Sequence, residues 1–549
     1  MKFTKRTGYL SVFCAGLLFC CFTAGFAQQK RDKGRLHLSV ESNMGLYVKD
    51  PEVKTLTDDK KYRANTFVNL GYDIGSFRFG VQGDAYTPAL LGYPAELKGV
   101  KVLHGFASYH SSKIEATLGA FYEQFGSGLL FRVYEDRALG INTAVLGASV
   151  RLRPFDWLSL KALAGAPRKY MRYADVSVYG ADAEVLLSEL LPEDAVSSLS
   201  IGGSWLLRDD RSTLEFDHLT PPRVVNGFSG RARLSKGVLT LGGEYTHKGR
   251  NMLHDGYGIS PNGQALLLDA GVDFDAFGIS AQYRTINNIS FAIDDRTDVE
   301  ALSLNYIPSL TKIQKYALLS LFPHSATKNV SGGETGGQID VFGNLPLWKG
   351  DRYPLSFNLN ASYFKKLVSA GERGEYKFWD LSGDLSFAEV GLEMEKRWNK
   401  RLKTTVVVDW QKSPQFSRLG HGEMKVNTTA IVTDVLYKIS PKNSLRMELQ
   451  HAWSDSKDDQ AWIMGLLEWG LSPHWMFYVS DMYNYESTGK NIHYYSVGAN
   501  FTWNSLRVGC SFGRNREGLQ CSGGVCRYVP EYTGFMINIS STNLLDIIF

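Results

Sequence analysis

The chain has 549 residues, of which 21% are charged and 13% aromatic, with 54 glycines and 17 prolines. A soluble chain of this length usually divides into several domains, yet no linker, low-complexity tract or composition shift marks a boundary. The formal net charge of +4 is small and the lysines and arginines are scattered, which excludes a nucleic-acid-binding surface.

The first 27 residues read as a signal peptide. Lys2, Lys5 and Arg6 form its positive start, Tyr9 to Phe22 its apolar stretch, and Gly25 and Ala27 supply small residues before Gln28. Cys20 and Cys21 raise a lipoprotein alternative, but Phe19 is too bulky for the small residue that lipidation needs. Residues 28–34 then form a short periplasmic segment, and residues 35–549 one further unit. No run of 18 apolar residues follows Ala27. The most apolar short stretch, Tyr316 to Phe322, contains Ser320 and is too short to span as a helix. A chain of this kind enters a membrane only as a closed sheet, because every backbone polar group in hydrocarbon needs a partner.

Period-two alternation begins at residue 35 and recurs to the end. Leu36, Leu38, Val40, Met44, Leu46 and Val48 oppose Arg35, His37, Ser39, Glu41 and Asn43. Phe77, Phe79, Val81 and Ala85 oppose Arg78, Gln82 and Asp84. Leu199, Ile201 and Trp205 oppose Ser198, Ser200 and Ser204, and Leu355, Phe357, Leu359, Ala361 and Tyr363 oppose Ser356, Asn358, Asn360 and Ser362. Leu402, Val406, Val408 and Trp410 oppose Lys403, Asp409 and Gln411. These strands run roughly 10–12 residues, whereas those of soluble sandwiches run about 5–6.

Short turns, such as Ile74–Gly75, Ser111–Ser112, Lys236–Gly237, Pro441–Asn443 and Asn504–Ser505, alternate with longer stretches near 49–62, 87–99, 123–140, 209–222, 249–263, 286–297, 364–377, 412–424, 485–492 and 514–529. Outer-membrane barrels have short periplasmic turns and longer extracellular loops. The fold expected is all-β: a single transmembrane antiparallel barrel of about 26 strands, within a range of about 22–28, with both ends periplasmic. The terminal strand alternates through Phe535, Ile537 and Ile539 and ends on Leu545, Ile547 and Phe549. A terminal Phe549 resembles the assembly signal of bacterial outer-membrane proteins. It implies handling by the outer-membrane assembly machinery and location in the outer membrane of a Gram-negative bacterium, with outer-membrane lipid against the barrel.

About 26 strands close a cylinder about 50 Å across. Wall side chains cannot fill that width, and an open hole would abolish the membrane barrier. Inward-folded loops, a collapsed section or a partner protein of the envelope must occupy it. Residues 28–34 leave no room for a plug domain ahead of the first strand, unlike TonB-dependent receptors. The inward charges include both signs, Arg78, Asp84, Arg231, Arg284, Asp340 and Glu448 among them, so no single-sign selectivity stripe emerges. The intrinsic candidate for the lumen is loop 123–140, with Phe125, Gly126, Gly128, Leu129, Leu130, Phe131, Arg132, Glu135 and Arg137. Exposed loops seldom carry four such apolar side chains together, so this one packs against something: the rim, a neighbouring loop, or the lumen.

Once Cys14, Cys20 and Cys21 leave with the signal, Cys510, Cys521 and Cys526 remain. Cys521 and Cys526 flank two glycines, and in an oxidising envelope a local disulfide is favoured. Zinc lacks further ligands there, and a redox pair lacks the Cys-x-x-Cys spacing. Cys510 shares parity with Val508 and Phe512 and reads as lipid-facing.

The stretch Gly513 to Pro530, which contains this pair, and Thr533-Gly534-Phe535 after it resemble a large outer-membrane barrel family of the Bacteroidota whose members carry a domain-of-unknown-function label. Ser480-Asp481-Met482-Tyr483-Asn484 and Gly336-Gly337-Gln338-Ile339-Asp340 are similar to that family's other recurrent segments. The resemblance implies an outer-membrane barrel and names no activity, cofactor or site residue.

No Walker loop, dinucleotide fingerprint, zinc motif or nucleophile elbow is present, and no cofactor is expected. His104, His110, His247, His451 and His493 pair with no activated nucleophile and read as girdle or lumen residues. The acid pairs Glu393–Glu395 and Asp380–Asp384 each read as lying on one face of one strand, an ordinary product of a polar lumen. The sequence therefore points away from an enzyme. Two roles remain: a gated or plugged transport conduit of unspecified cargo, and a structural or assembly component of an outer-membrane complex.

Overall fold

A computed structural model describes residues 34–544, except 54–59, 193–196, 212–219, 253–257, 296–301, 322–332, 372–373, 417–422, 457–458, 488–490 and 523–524. The signal-peptide reading of residues 1–27 and the assembly-signal reading of Phe549 fall outside the described residues.

Twenty-four long strands form one antiparallel sheet closed on itself. In chain order they are β1 (Arg35–Val48), β2 (Tyr62–Ile74), β3 (Phe77–Tyr86), β4 (Gly99–His110), β5 (Ile114–Phe121), β6 (Val145–Phe155), β7 (Leu158–Lys169) and β8 (Val176–Leu186). Next come β9 (Ser198–Asp210), β10 (Val224–Lys236), β11 (Leu239–Lys248), β12 (Gly263–Asp273), β13 (Phe277–Asn287), β14 (Glu334–Leu345), β15 (Leu355–Lys366) and β16 (Leu385–Arg397). The last are β17 (Leu402–Phe416), β18 (Glu423–Ser440), β19 (Asn443–Ser454), β20 (Asp459–Leu471), β21 (Trp475–Ser487), β22 (His493–Trp503), β23 (Leu506–Asn515) and β24 (Tyr532–Ser541). Each strand pairs with its sequence neighbours, and β1 meets β24 from Val40 opposite Ser541 to Val48 opposite Thr533, which removes both sheet edges. No described helix is long and apolar enough to cross a membrane.

The count lies inside the expected range, two below its central value. Between β13 and β14, the described residues of 288–333 include short apolar runs but form no strand of the wall, and the described residues of 187–197 form only a short 3-10 turn.

Alternation decides the faces. Phe77, Phe79, Val81, Leu118, Ile339, Val408, Val479 and Val497 are exposed on the outer surface, while their neighbours point into the lumen. Trp398, Trp469, Trp475 and Trp503 lie near one rim, and Tyr179, Tyr245, Trp453 and Tyr495 near the other. An apolar belt between two aromatic girdles is the surface of a membrane-spanning barrel. His451 belongs to a girdle, its ring paired with the Tyr485 hydroxyl at 2.7 Å. Cys510 is exposed on the outer face, as its parity requires.

Connections alternate between two rims. The short-turn rim carries 75–76, 111–113, 237–238, 441–442 and 504–505; the long-loop rim carries 87–98, 122–144, 288–333 and 516–531. The buried apolar residues lie inside the barrel, between the wall and these long loops. The fold's core is therefore its lumen.

Candidate functional site

Inward side chains form a gradient along the barrel axis. Near the short-turn rim they stay in solvent: Arg78 pairs with Asp73 at 2.8 Å, Lys403 with Glu395 at 2.7 Å, and Arg233, 62% exposed, with Asp269 at 3.1 Å. Near the long-loop rim the same faces are buried, with Arg208, Lys248 and Arg284 all at 0%. The lumen is thus an open, mixed-charge vestibule at one end and a packed interior at the other.

Loop 122–144 supplies the first part of that interior. Glu123–Phe125 and Phe131–Val133 pair as a small hairpin. Gly126 and Gly128 take positive φ, 51° and 96°, which turns the tip without a Cβ penalty. The tip is anchored where the Ser127 amide donates to Glu244 Oε2 at 2.7 Å, and Glu244 also accepts from Ser229 at 2.7 Å. Phe125, Leu130 and Phe131 are buried against Leu163, Val178, Leu206 and Val225 of the wall. Leu130 fits because position 227 is glycine: a Cβ there would stand 2.5 Å from its Cδ1. Burying one such side chain is worth about 1.5–3 kcal/mol. At the loop's base, Arg137 donates to Glu41 at 2.8 Å, pairs with Glu135 at 3.2 Å and lies over the Phe67 ring. Glu135 Oε1 accepts from Gln82 at 2.7 Å and Asn142 at 3.1 Å.

Segment 288–333 supplies the rest. It joins loop 122–144 edge to edge: Arg132 N donates to Leu304 O at 2.8 Å, Tyr306 N to Gly128 O at 2.9 Å, and Asn305 Nδ2 to Leu129 O at 2.9 Å. The Arg132 guanidinium lies between the Tyr134 and Tyr306 rings, 5.0 and 4.0 Å from their centroids. Burial pushes the Tyr134 hydroxyl up to about 12 despite the opposing pull of Arg132. The segment then follows the wall. Asp294 pairs with Lys169 at 2.7 Å, Asp295 with Arg208 at 2.8 Å, and Pro308 O accepts from Arg284 at 2.5 Å. Lys312 and Lys315 reach Glu393 at 2.9 and 2.6 Å. Tyr316, Leu318 and Leu319 are buried against Val407, Val432, Ala452 and Trp462, and the Leu318 amide donates to Gln450 at 2.9 Å.

A third hairpin, Gly518–Ser522 with Val525–Val529, covers the long-loop side. Val525 packs on Leu139 and Ile141, and Arg527 donates to Leu91 O at 3.0 Å and Ala138 O at 3.1 Å. Cys521 stands opposite Cys526 in register. Where β24 meets this rim, burial opposes ionisation of Asp50, but hydrogen bonds from Arg514 and Thr533 outweigh it and hold the carboxyl at about 2.

Of the loop residues singled out from the sequence, Phe125, Leu129 and Phe131 are buried, Gly126 and Gly128 turn the hairpin tip, and Arg132, Glu135 and Arg137 are half-buried at its contacts. Glu393 and Glu395 share one inward face. Asp380 and Asp384 do not: Asp380 lies in the 367–384 connection, bonded to Ser382, so that pair is not a strand pair. The lumen also holds the buried His104, stacked on Tyr122 at 5.1 Å. The described residues of 288–333 that pack inside the wall carry no periodic signal; their traces in the sequence are missing alternation and the short apolar run at Tyr316–Phe322.

The profile of a family of unknown function, DUF6029, matches residues 9–543. No curated protein matches the chain. Among solved structures, the siderophore receptor PirA from Pseudomonas aeruginosa aligns over 93% of this chain and 81% of its own, at 10% identity and a TM-score of 0.44. The E. coli P pilus tip assembly intermediate PapC-PapD-PapK-PapG aligns over 94% of this chain and 62% of the matched chain, at 13% identity and 0.49. The copper transporter OprC aligns over 93% and 81%, at 8% and 0.42.

Proposed function

The chain belongs to that family of unknown function, and from the geometry of its lumen we propose that it is an outer-membrane conduit, closed toward the outside by its own loops and open toward the periplasm. The short-turn rim is then periplasmic. The observation that carries this reading is the burial gradient: Arg233 is solvated at one end of the wall, while Arg284 is sealed at the other. The mixed charge of the vestibule leaves the cargo class open.

Planar-bilayer recording tests it. Wild-type protein should conduct little. A variant in which 302–321 is replaced by a short Gly/Ser linker should show large, frequent openings. A folded variant that conducts no more than wild type overturns the reading.

A second reading is favoured by the largely buried ion pairs Lys169–Asp294 and Arg208–Asp295 that hold the described part of 288–333. They suit a permanent filling, with the vestibule as a receptacle for an envelope protein partner. Native purification in mild detergent separates the two: a chain that always elutes alone counts against the receptacle.

We further read residues 1–27 as a cleaved secretion signal, Phe549 as the assembly signal, and Cys521–Cys526 as a disulfide clipping the outer hairpin. If the clip exists, alkylation without reductant marks Cys510 alone.

A further inference from the structure

Beside Gln314, one buried patch of the wall holds several side-chain oxygens without a hydrogen-bond partner. Register sets Asn360 of β15 opposite Gly391 of β16, and Gly391 opposite Asp409 of β17. One row nearer the long-loop rim, Ser362, Glu389 and Gln411 align in the same way. All six positions are buried. Because residue 391 has no side chain, the wall dips between its neighbours. Asn360 Oδ1 and Asp409 Oδ2 each lie 2.6 Å from the point where a Cβ would stand. Gln314 roofs the patch, donating to Glu389 Oε1 at 2.6 Å and lying 3.4 Å from Asp409 Oδ2.

Two buried carboxylates here, Glu389 and Asp409, have no ion-pair partner in contact, although both lie within the field of Lys312. Lys312 and Lys315 are engaged by Glu393 one row below, and neither Glu389 nor Asp409 makes a salt bridge among the described residues. Both amide atoms of Asn360, the Ser362 hydroxyl and Glu389 Oε2 are buried without any hydrogen-bond partner. Buried polar atoms are nearly always satisfied, and buried charge is paired or binds metal. A proton could quench one carboxylate, but it would leave Asn360 Oδ1 at the dip and the Ser362 hydroxyl one row away with nothing to bind. A cation at the dip gives Asn360 Oδ1 and Asp409 Oδ2 a common partner, with the Ser362 hydroxyl and Glu389 Oε2 in the adjoining row.

We propose that Asn360, Ser362, Glu389 and Asp409 hold a divalent cation of the calcium type, which ties segment 288–333 to the wall. The donors are all oxygen, two of them carboxylates, the set that suits Ca2+ and not zinc or copper. Ca2+ takes its ligands at about 2.3–2.6 Å, so two ligands of one ion can stand up to twice that distance apart. Asn360 Oδ1 and Asp409 Oδ2 meet that limit across the dip. Water completes the coordination. Because Gln314 closes the patch, occupancy of the site and seating of the segment are linked. The site stands independently of the conduit reading, since binding is measured on the closed protein.

The full chain, purified in detergent and stripped with EDTA, is titrated with CaCl2 by calorimetry, and its melting is followed in parallel. One saturable Ca2+ per chain and a raised melting temperature are expected. Asp409→Asn and Glu389→Gln, which keep shape and remove charge, should each weaken binding more than about ten-fold. Gly391→Val should abolish binding with both carboxylates intact, because it fills the dip. Asp434→Asn, whose carboxylate is already held by Arg446, should bind like wild type. No wild-type binding at millimolar Ca2+, undiminished binding in Asp409→Asn, or binding of Mg2+ in place of Ca2+ would each overturn the assignment. The wild-type titration alone decides should a variant fail to fold.

Discussion

Arg284 and Arg233 sit on the same inner surface, and each bonds an acid of the wall, Arg284 on the adjacent strand and Arg233 across Gly242 on the strand beyond it. Arg233 meets Asp269 at 3.1 Å in the vestibule; Arg284 meets Glu334 at 2.5 Å with both side chains at 0% exposure. The difference is the second layer. Where segment 288–333 and loop 122–144 cover the wall, the polar groups are buried and depend on a few protein partners. Where they do not, the same chemistry is solvated and replaceable. A β-barrel of this width has a core only where its loops provide one. Stability and any gate both belong to the long-loop half.

The largest effect should come from breaking the sealed pair. Arg284→Ala removes the guanidinium from the fully buried Glu334, which also accepts from the Ser386 hydroxyl at 2.7 Å, and should cost about 3–5 kcal/mol, because one member of a buried ion pair is lost and the other stays in the interior. Denaturant unfolding in detergent micelles measures it. A loss below about 1 kcal/mol, the ceiling for exposed pairs, would show that water reaches this site and would break the contrast.

Next come the apolar contacts that seat the plug. Phe125→Ala should cost about 3–5 kcal/mol and Leu130→Ala about 2–5 kcal/mol, through lost burial and the cavity left behind. Gly227→Leu attacks from the other side, since its side chain would occupy the place of Leu130. All three should speed limited proteolysis within 122–144 while the wall strands keep their protection against hydrogen exchange. Loss of protection in β9 and β10 as well would mean that the plug and wall unfold as one unit, and that the two layers are not separable.

How much of this was legible follows from what each layer must do. A wall strand faces lipid on one side and the lumen on the other, so Leu355 to Tyr363 alternate strictly, and Leu36 to Val48 alternate with Ser42 and Tyr47 as exceptions, and both announce their faces. Loop 122–144 was visible because Phe125, Leu129, Leu130 and Phe131 are too apolar for an exposed loop. Segment 288–333 has no such constraint. It contacts the wall through whatever comes to hand: Asp294 to Lys169, Pro308 O to Arg284, Lys312 to Glu393, Leu318 N to Gln450. Contacts with partners so far away in sequence impose no period. The dip at Gly391 was equally silent, since it depends on which residues three separate strands bring into one row.

A smaller effect is expected at the seam between β1 and β24. Asp50 accepts from Arg514 at 2.8 and 2.9 Å and from Thr533 at 2.7 Å. These bonds outweigh burial and hold its carboxyl at about 2, below the ordinary 3.8. A depressed folded-state value means that the contribution is complete above the ordinary value and is lost as pH falls through about 2. Asp50→Asn should therefore loosen the seam at neutral pH and erase that acid dependence. Hydrogen exchange of 45–50 and 530–534, followed from neutral pH downward, measures it. A variant that retains the wild-type acid response would place the titrating group elsewhere.

The smallest effect should come from Arg233→Ala. Its partner Asp269 remains hydrated when the guanidinium is gone, and Arg233 is 62% exposed. The loss should be about 0.2–1 kcal/mol, and it should shrink further in salt, which screens exposed pairs and leaves buried ones largely untouched. Unfolding of Arg233→Ala and Arg284→Ala at low and high ionic strength puts the comparison to its sharpest test. If salt closes the gap between Arg233→Ala and wild type but not the gap at Arg284, the vestibule is open to bulk solvent and the long-loop half is sealed from it. If Arg233→Ala proves costly and insensitive to salt, something occupies the vestibule in the purified protein. The short-turn half would then be an interior whose second layer comes from another molecule.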